Sequence, residues 1–414
     1  MLLGGRGALP SDFSEVMSYL EILEYLFSIP SLQGLKPDLS RAHALNQALD
    51  FPTHKFATIH IAGSNGKGSV STKIAAVLEL SGYRVGLYTS PHLVSFRDRI
   101  SVNSVLISEE EVVEGIEKLL AVAKRLDLSP TFFELATFLS FIHFQKTQID
   151  VAVIETGLGG RFDCTNVIEP ILSIITSISR EHAAILGEEL EAIAFQKAGI
   201  IKRNIPLVLG PKARYQSIYD QAKALSSPVF LSKKISYFFD EENSATARLA
   251  LEQIKSQFSV PAEALEKGLS IRPSCRFERV QNVIFDVAHN PEAVFSLLQA
   301  LHTFFPQRKL RFLVGFCKDK DYPACLELIA DVATHIHLVK ADSLRAVSAE
   351  ELQLALYKED PQFSTAHSSL EEGIERAYKE SHLQEELLVI CGSFYIMDKA
   401  KQKVLEWSDS SLRV

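Results

Sequence analysis

From about residue 56 the chain alternates short, β-rich apolar runs with helical stretches, a pattern that parallel βαβ units satisfy and a sandwich of sequential hairpins does not. The apolar runs are 57–62, 85–89, 151–155, 171–178 and 206–209, and the helical stretches between them are 70–81, 109–126, 133–145 and 190–198. A second alternation starts near Val283 and runs through LRFLVGF, IHLVK and LLVICG, with helices beginning at Glu292, Tyr322 and Ala349. Ahead of both, 13–49 reads as two helices around the turn-rich Gly34-Leu35-Lys36-Pro37, placed to cover the edge of a site. Internal repeats and low-complexity tracts are absent from the sequence, which excludes a solenoid or an interaction array.

The run ATIHIA leads directly into Gly63-Ser64-Asn65-Gly66-Lys67-Gly68-Ser69 and then into the helical SVSTKIAAVLEL. A glycine-rich turn between a buried strand and a helix N-terminus aims backbone N–H groups and the positive end of the helix dipole at one point. Lys67 there supplies the counter-charge for the terminal phosphates of a nucleotide, and a following hydroxyl can approach a metal. Gly68 separates Lys67 from Ser69, whereas the common phosphate loop has Ser or Thr directly after Lys, so an ordinary kinase or GTPase loop is not expected. The fold expected is α/β: an N-terminal P-loop mononucleotide-binding domain with a parallel sheet over 1–270, and a C-terminal Rossmann-like α/β domain over 271–414. A linker is expected at 262–273.

Charge and cysteines narrow the partners. With 43 Lys and Arg against 51 Asp and Glu the net charge is −8, which draws in neither nucleic acid nor an anionic membrane. Five scattered cysteines form no C-x-x-C pair and read as reduced thiols of a cytoplasmic protein. The start MLLGGRGALPSDFSEV lacks the features of a secretory signal, and the longest apolar block, 132–144, carries Glu134 and His143 and falls short of the roughly 20 residues that span a bilayer.

Glu155 ends the run VAVIE and so projects from the carboxyl edge of a parallel sheet, where ligands of open α/β folds sit; an oxygen ligand there suits Mg²⁺. Lys197, in FQKAGII, has mostly apolar neighbours, and burial depresses an amine's pKa.

GSNGKGS, YTSPHL at 88–93, ETGLGGRFDCTN at 155–166, EHAAILG at 181–187, QKAGIIK at 196–202 and DVAHNP at 286–291 resemble, in this order, the folylpolyglutamate synthase/dihydrofolate synthase branch of the Mur ligase superfamily. The resemblance implies a Mur-type central domain followed by a glutamate-ligase domain. It also implies an ATP-dependent carboxylate–amine ligase that joins L-glutamate to dihydropteroate and to reduced folates through an acyl phosphate. Such chemistry needs cation density where negative charge accumulates.

Residue by residue, the resemblance gives Gly63 to Ser69 with Asn243, Arg276 and Asp286 to ATP, Asn243 at the adenine edge and Asp286 at the ribose. It gives Ser90, Glu155 and His182 to Mg²⁺, with Glu181 where most relatives carry Asp. Lys67, Lys197 and His289 take the catalytic places, Lys197 as a carbamate and His289 near the phosphates, in a motif where Val287 replaces the usual Gly. Thr131, Phe132, Phe133, Phe162, Asp163 and Cys164 match pteroate-binding segments, with Asp163 as acceptor for pterin amino groups and Cys164 in place of the usual Ala. The GFCKDKD segment and Arg345 resemble elements linked to glutamate and to domain closure. A monomer is expected. Two alternatives are a peptidoglycan-type Mur ligase acting on an amino-sugar nucleotide, disfavoured by the GKGS loop and the TFFE segment, and a P-loop kinase or GTPase, disfavoured because Cys317-Lys318-Asp319-Lys320 lacks the Asn or Thr that opens a guanine-reading motif.

Overall fold

A computed structural model describes residues 17–29, 38–233, 238–356 and 363–411; the Gly34–Pro37 turn lies outside them. The helices on either side of it are Tyr19–Ser28 and Ser40–Ala48.

The first sheet has eight strands: β1 (Ala57–Ala62), β2 (Val85–Tyr88), β3 (Ile100–Val102), β4 (Val105–Leu106), β5 (Val151–Glu155), β6 (Leu172–Ser177), β7 (Leu207–Lys212) and β8 (Val229–Leu231). Their order is β4-β3-β2-β5-β1-β6-β7-β8, parallel from β2 to β8. Helices cover both faces, so β1, β5 and β6 are buried along almost their whole length, polar residues included. From β5, on one side of β1, the chain crosses to β6 on the other. The carboxyl ends of these three strands therefore border the crevice where open α/β sheets hold ligands.

Antiparallel β3 and β4 extend the edge as a hairpin that the apolar pattern does not announce, because Val105 and Leu106 are exposed. Its signal is the turn: Asn103 and Ser104 both have positive φ, as a type I′ turn demands. The apolar block 132–144 forms a core helix, Phe132–Lys146, buried around most of its circumference. Among the described residues no helix is long and apolar enough to cross a membrane.

The second sheet comprises β9 (Glu278–Val280), β10 (Val283–Phe285), β11 (Leu310–Val314), β12 (Ala333–Leu338), β13 (Ser364–Ala366) and β14 (Leu387–Cys391), in the order β13-β12-β11-β14-β10-β9. All pairs are parallel except β9 with β10. Separate apolar clusters fill its two faces.

The linker expected at 262–273 is a helix over most of its length, Ala262–Ser270. Leu269 joins the same apolar cluster as Val77 of the helix Lys67–Leu80, and a Cβ on Gly268 would lie 2.6 Å from the Val77 backbone nitrogen. The connector shrinks to the largely exposed 271–274. The amphipathic stretch AEALEKGLS is polar enough to read as linker; packing of its apolar stripe makes it part of the first domain.

Helix propensity alone favours Ala over Gly by about 1 kcal/mol, whereas overpacking costs about 1–3 kcal/mol. Because a Cβ on Gly268 would meet the Val77 backbone nitrogen and Cα at 2.6 and 2.7 Å as well as its Cγ2 at 2.4 Å, rotation of the Val77 side chain does not make room, and Gly268→Ala should lower stability by about 1 kcal/mol, read as a lower denaturant midpoint. A raised midpoint would show that this helix does not pack as described.

Candidate active site

The loop after β1 is stitched to the end of β6. The Asn65 backbone N–H donates to Ser177 Oγ at 2.9 Å, Ser179 N–H donates to Ser64 Oγ at 2.9 Å, and Ser64 Oγ donates to the Ser179 carbonyl at 3.1 Å. Gly63 approaches β6 so closely that a Cβ there would sit 1.9 Å from Thr176 Oγ1. Gly66, at φ 85°, caps the helix that starts at Lys67, three residues earlier than the apolar periodicity predicts. A Cβ on Gly66 would lie 2.5 Å from Asn243 Oδ1, so the loop and Asn243 adjoin, as expected for one nucleotide site.

Lys67 Nζ folds back onto its own loop, donating to the carbonyls of Gly63 at 2.9 Å and Ser64 at 3.3 Å. Lys197, 1% exposed, donates to the same Gly63 carbonyl at 2.9 Å and to Glu181 Oε1 at 2.6 Å. Burial pulls the Lys197 amine below its usual pKa, with Glu181 opposing. Burial pushes the Glu181 carboxyl up, but the Lys197 and Lys67 ammonium groups outweigh it and hold the group well below the carboxylate range.

Glu155 is 3% exposed, and burial raises its pKa to about 7 against the opposing charge of Lys67. Its one hydrogen bond among the described residues comes from the Ser90 N–H, at 3.3 Å. A buried carboxylate so thinly satisfied fits a hard cation, and Gly68 leaves its Oε2 uncovered, with a hypothetical Cβ 3.5 Å away. Ser90 thus stands beside Glu155.

His182 faces the other domain. Its Nε2 accepts from Lys320 Nζ at 3.3 Å, and burial together with the Lys320 charge lowers its pKa to about 4. The lone pair expected to hold Mg²⁺ is engaged by an ammonium, which a metal must first displace. Lys320 lies in the GFCKDKD segment, for which the sequence alone indicates no contact. Among the described residues one other group of ligand-type side chains, His335, His337 and Glu380, lies in the second domain, where Arg311 donates to both His337 and Glu380.

From the second domain, Arg276 and Asp286 line the same cleft as Asn65, Gly66, Ser69 and Asn243. Asp286 accepts from Phe277 N–H and Ala288 N–H, both at 2.8 Å, which fixes the turn bearing Arg276 and leaves fewer lone pairs for a ribose than expected. His289 Nδ1 lies 2.8 Å from the Val287 carbonyl, and since a carbonyl cannot donate, the proton is on Nδ1. Burial lowers its pKa to about 3, so Nε2 offers a lone pair and cannot donate to phosphate, as its expected place near the phosphates would ask. Asn65 and Asn290 exchange amide hydrogen bonds of 3.3 and 2.9 Å across the domains. Phe239, Thr246, Lys212 and Ser296 also line the cleft; they sit in no motif, and the helix Phe239–Gln253 goes unread in the sequence because its first half is polar.

The pteroate set divides. Thr131 caps the helix Phe132–Lys146 in a capping box with Glu134, which in turn pairs with Arg41, so its polar atoms are committed. Asp163, 5% exposed, accepts from the N–H groups of Gly157, Leu158 and Thr165 and from Thr165 Oγ1. Those four donors tie up the loop and leave no acceptor for pterin amino groups. Cys164 packs in the core against Thr137. The aromatic residues remain: Phe162 is 46% exposed, Phe132 stacks on the half-exposed Phe27 at 5.8 Å, and Phe133 lies 6.1 Å from Tyr88.

Models of the Mur ligase middle domain and the Mur ligase glutamate ligase domain match residues 61–266 and 275–394. The dihydrofolate synthase/folylpolyglutamate synthase of Bacillus subtilis (strain 168) is 33% identical over 416 residues, covering 90% of this chain and 96% of that protein. A solved structure of E. coli FolC in complex with DHPP and ADP is 26% identical, with a TM-score of 0.85 over 95% of this chain and 98% of that one. A bifunctional folylpolyglutamate synthase/dihydrofolate synthase solved with Mn, AMPPNP and L-glutamate bound is 27% identical, with a TM-score of 0.81 over 96% and 98% of the two chains. With that coverage across both sheets and the cleft between them, the chain belongs to the dihydrofolate synthase/folylpolyglutamate synthase family of Mur ligases.

Proposed function

We propose that the protein is an ATP-dependent ligase that forms an amide between L-glutamate and the carboxylate of dihydropteroate or of a reduced folate. The observation that carries this reading is a single cleft lined by the loop residues Asn65, Gly66 and Ser69, by Asn243, and by Arg276 and Asp286 of the other domain. Relatives solved with DHPP and ADP, or with AMPPNP and L-glutamate, support the same ligand classes here. All five cysteines are buried and unpaired, which suits a reducing, cytoplasmic setting.

The acceptor carboxylate attacks the γ-phosphorus of ATP, the bond to the bridging oxygen breaks, and ADP leaves as an acyl phosphate forms. The amino nitrogen of L-glutamate then adds its lone pair to the acyl carbon; the C–O bond to phosphate breaks, phosphate leaves with that electron pair, and the nitrogen loses a proton to become the amide. Both steps concentrate anionic charge above the loop. Lys67 is positioned to exchange its bonds to the Gly63 and Ser64 carbonyls for phosphate oxygens, and Arg276 supplies a second, planar cation from across the cleft. Phe162 and the Phe27–Phe132 stack offer flat apolar faces to a pterin.

Mg²⁺, when bound, supplies Lewis-acid charge for phosphoryl transfer, and Ser90, Glu155 and His182 are the residues to hold it, His182 after releasing Lys320. Carbamylation of Lys197 would replace its ammonium with an anion facing Glu181, and a bound cation's charge would offset the repulsion of the two buried anions. We therefore place the carbamate in the metal-loaded enzyme, with the Lys197–Glu181 ion pair as its unmodified counterpart.

The decisive experiment is ADP release with ATP, Mg²⁺ and L-glutamate, with dihydropteroate in one reaction and tetrahydrofolate in another. Release in both is expected and Lys67→Ala should be silent in both while keeping its melting transition; silence of the folded wild type in both would overturn the reading. Glu155→Gln should raise the Mg²⁺ concentration for half-maximal rate by more than the roughly 10- to 100-fold typical of losing an outer-shell partner; an unchanged Mg²⁺ requirement removes Glu155 from the metal site. Protein equilibrated with ¹³C-bicarbonate, Mg²⁺ and nucleotide should show a carbamate ¹³C resonance that Lys197→Arg lacks, and a fully active wild type without that resonance would refute the modification.

A further inference from the structure

Lys73 lies six positions after Lys67 on the phosphate helix, and its side chain is 0% exposed. Its ammonium has three donors and three partners: the Leu269 carbonyl at 2.6 Å, the Ile271 carbonyl at 3.1 Å and Asp240 Oδ1 at 3.0 Å. The other Asp240 oxygen accepts from Arg272 Nε at 2.7 Å. One buried amine thus joins the phosphate helix, the exit of the helix Ala262–Ser270 into the connector, and the first turn of the helix Phe239–Gln253.

That last helix spans the domains. Phe238, just ahead of it, packs within the second domain's apolar cluster, 5.5 Å from Phe277 and 4.9 Å from Phe304, whereas Ala247, Ala250 and Leu251 belong to the cluster under the first sheet. Between these ends it carries Asn243 against the phosphate loop. Immediately beyond the connector stands Arg276, which lines the nucleotide cleft. A buried ion pair is on average no more stabilising than apolar residues of the same shape, so its contribution here is a defined geometry rather than net stability.

We infer that Lys73 is a positioning residue that couples nucleotide binding at the Gly63–Ser69 loop to the 271–274 connector, and through it to the placement of Arg276. Displacement of the phosphate helix reaches the connector through two carbonyls bonded to a single ammonium, and reaches Asn243 through Asp240. The inference rests on nucleotide binding at the loop as proposed above, and the test separates the two.

Hydrogen exchange is measured with and without saturating ADP, segment by segment, on wild type, Lys73→Met, Lys73→Arg and Arg272→Gln. In wild type, ADP should slow exchange about tenfold or more in both 63–70 and 269–277. In Lys73→Met the loop should stay protected while connector protection falls at least about threefold, and Lys73→Arg should restore part of it. Should Lys73→Met fail to fold, Arg272→Gln, whose side chain is 42% exposed, carries the test and should also weaken connector protection alone. Connector protection that persists in the variants, or that disappears together with loop protection, overturns the coupling. Protection of the loop without the connector in wild type also overturns it, and no loop protection in wild type removes the nucleotide site itself.

Discussion

One carbonyl oxygen, that of Gly63, accepts hydrogen bonds from two ammonium groups, Lys67 and Lys197, each at 2.9 Å. Two ammonium groups on one acceptor repel each other, and nearby carboxylates offset that repulsion. Glu181 answers Lys197 directly, and Glu155 lies within the field of Lys67. The oxygen is where it is because glycine lets the loop press against Thr176 at the end of β6. A side chain at Gly63 would move the carbonyl and separate the two cations that meet there.

Burial, with positive charge second, explains the histidines. Burial lowers both His182 and His289, and Lys320 adds to the effect in each case, leaving neutral rings with pKa values of about 4 and about 3. Neutral imidazoles offer lone pairs to cations. His289 keeps its Nδ1 proton on the Val287 carbonyl, the usual way a ring is oriented for a ligand on Nε2. His182 has Lys320 where such a ligand would sit, so the two domains meet there through an ammonium–imidazole hydrogen bond.

Much of this was legible in the sequence because it is local. The strand, loop and helix around Lys67 and the strand ending in Glu155 follow from apolar runs and glycine placement within a few residues. The helices 262–270 and 239–253 were not legible, since the first has a short apolar stripe in a polar stretch and the second a polar first half, and both depend on packing against the phosphate helix or Phe277. The β3–β4 hairpin was hidden by exposed Val105 and Leu106. In the site, residue type was readable but residual capacity was not. Asp163 and Thr131 are the acceptor and hydroxyl that motif order expects, yet Asp163 already has four donors and Thr131 is spent on a helix cap. Whether a polar atom is free is a property of its neighbours in space.

Contacts between the two domains differ in kind along the cleft. At its mouth they are polar and exchangeable: Asn65 with Asn290, Lys212 with Glu292 at 3.3 Å, and His182 with Lys320. Asn290 is 3% exposed and the His182 and Lys320 side chains are 27% and 15% exposed, so a ligand that replaces these contacts must supply equivalent hydrogen bonds. At the connector end Phe238 is buried among Phe277 and Phe304, and burying a phenyl side chain is worth about 1.5–3 kcal/mol. The nucleotide-loop side of the interface is thus held by polar contacts, whereas the connector end is held by aromatic burial and by the Lys73 junction behind it.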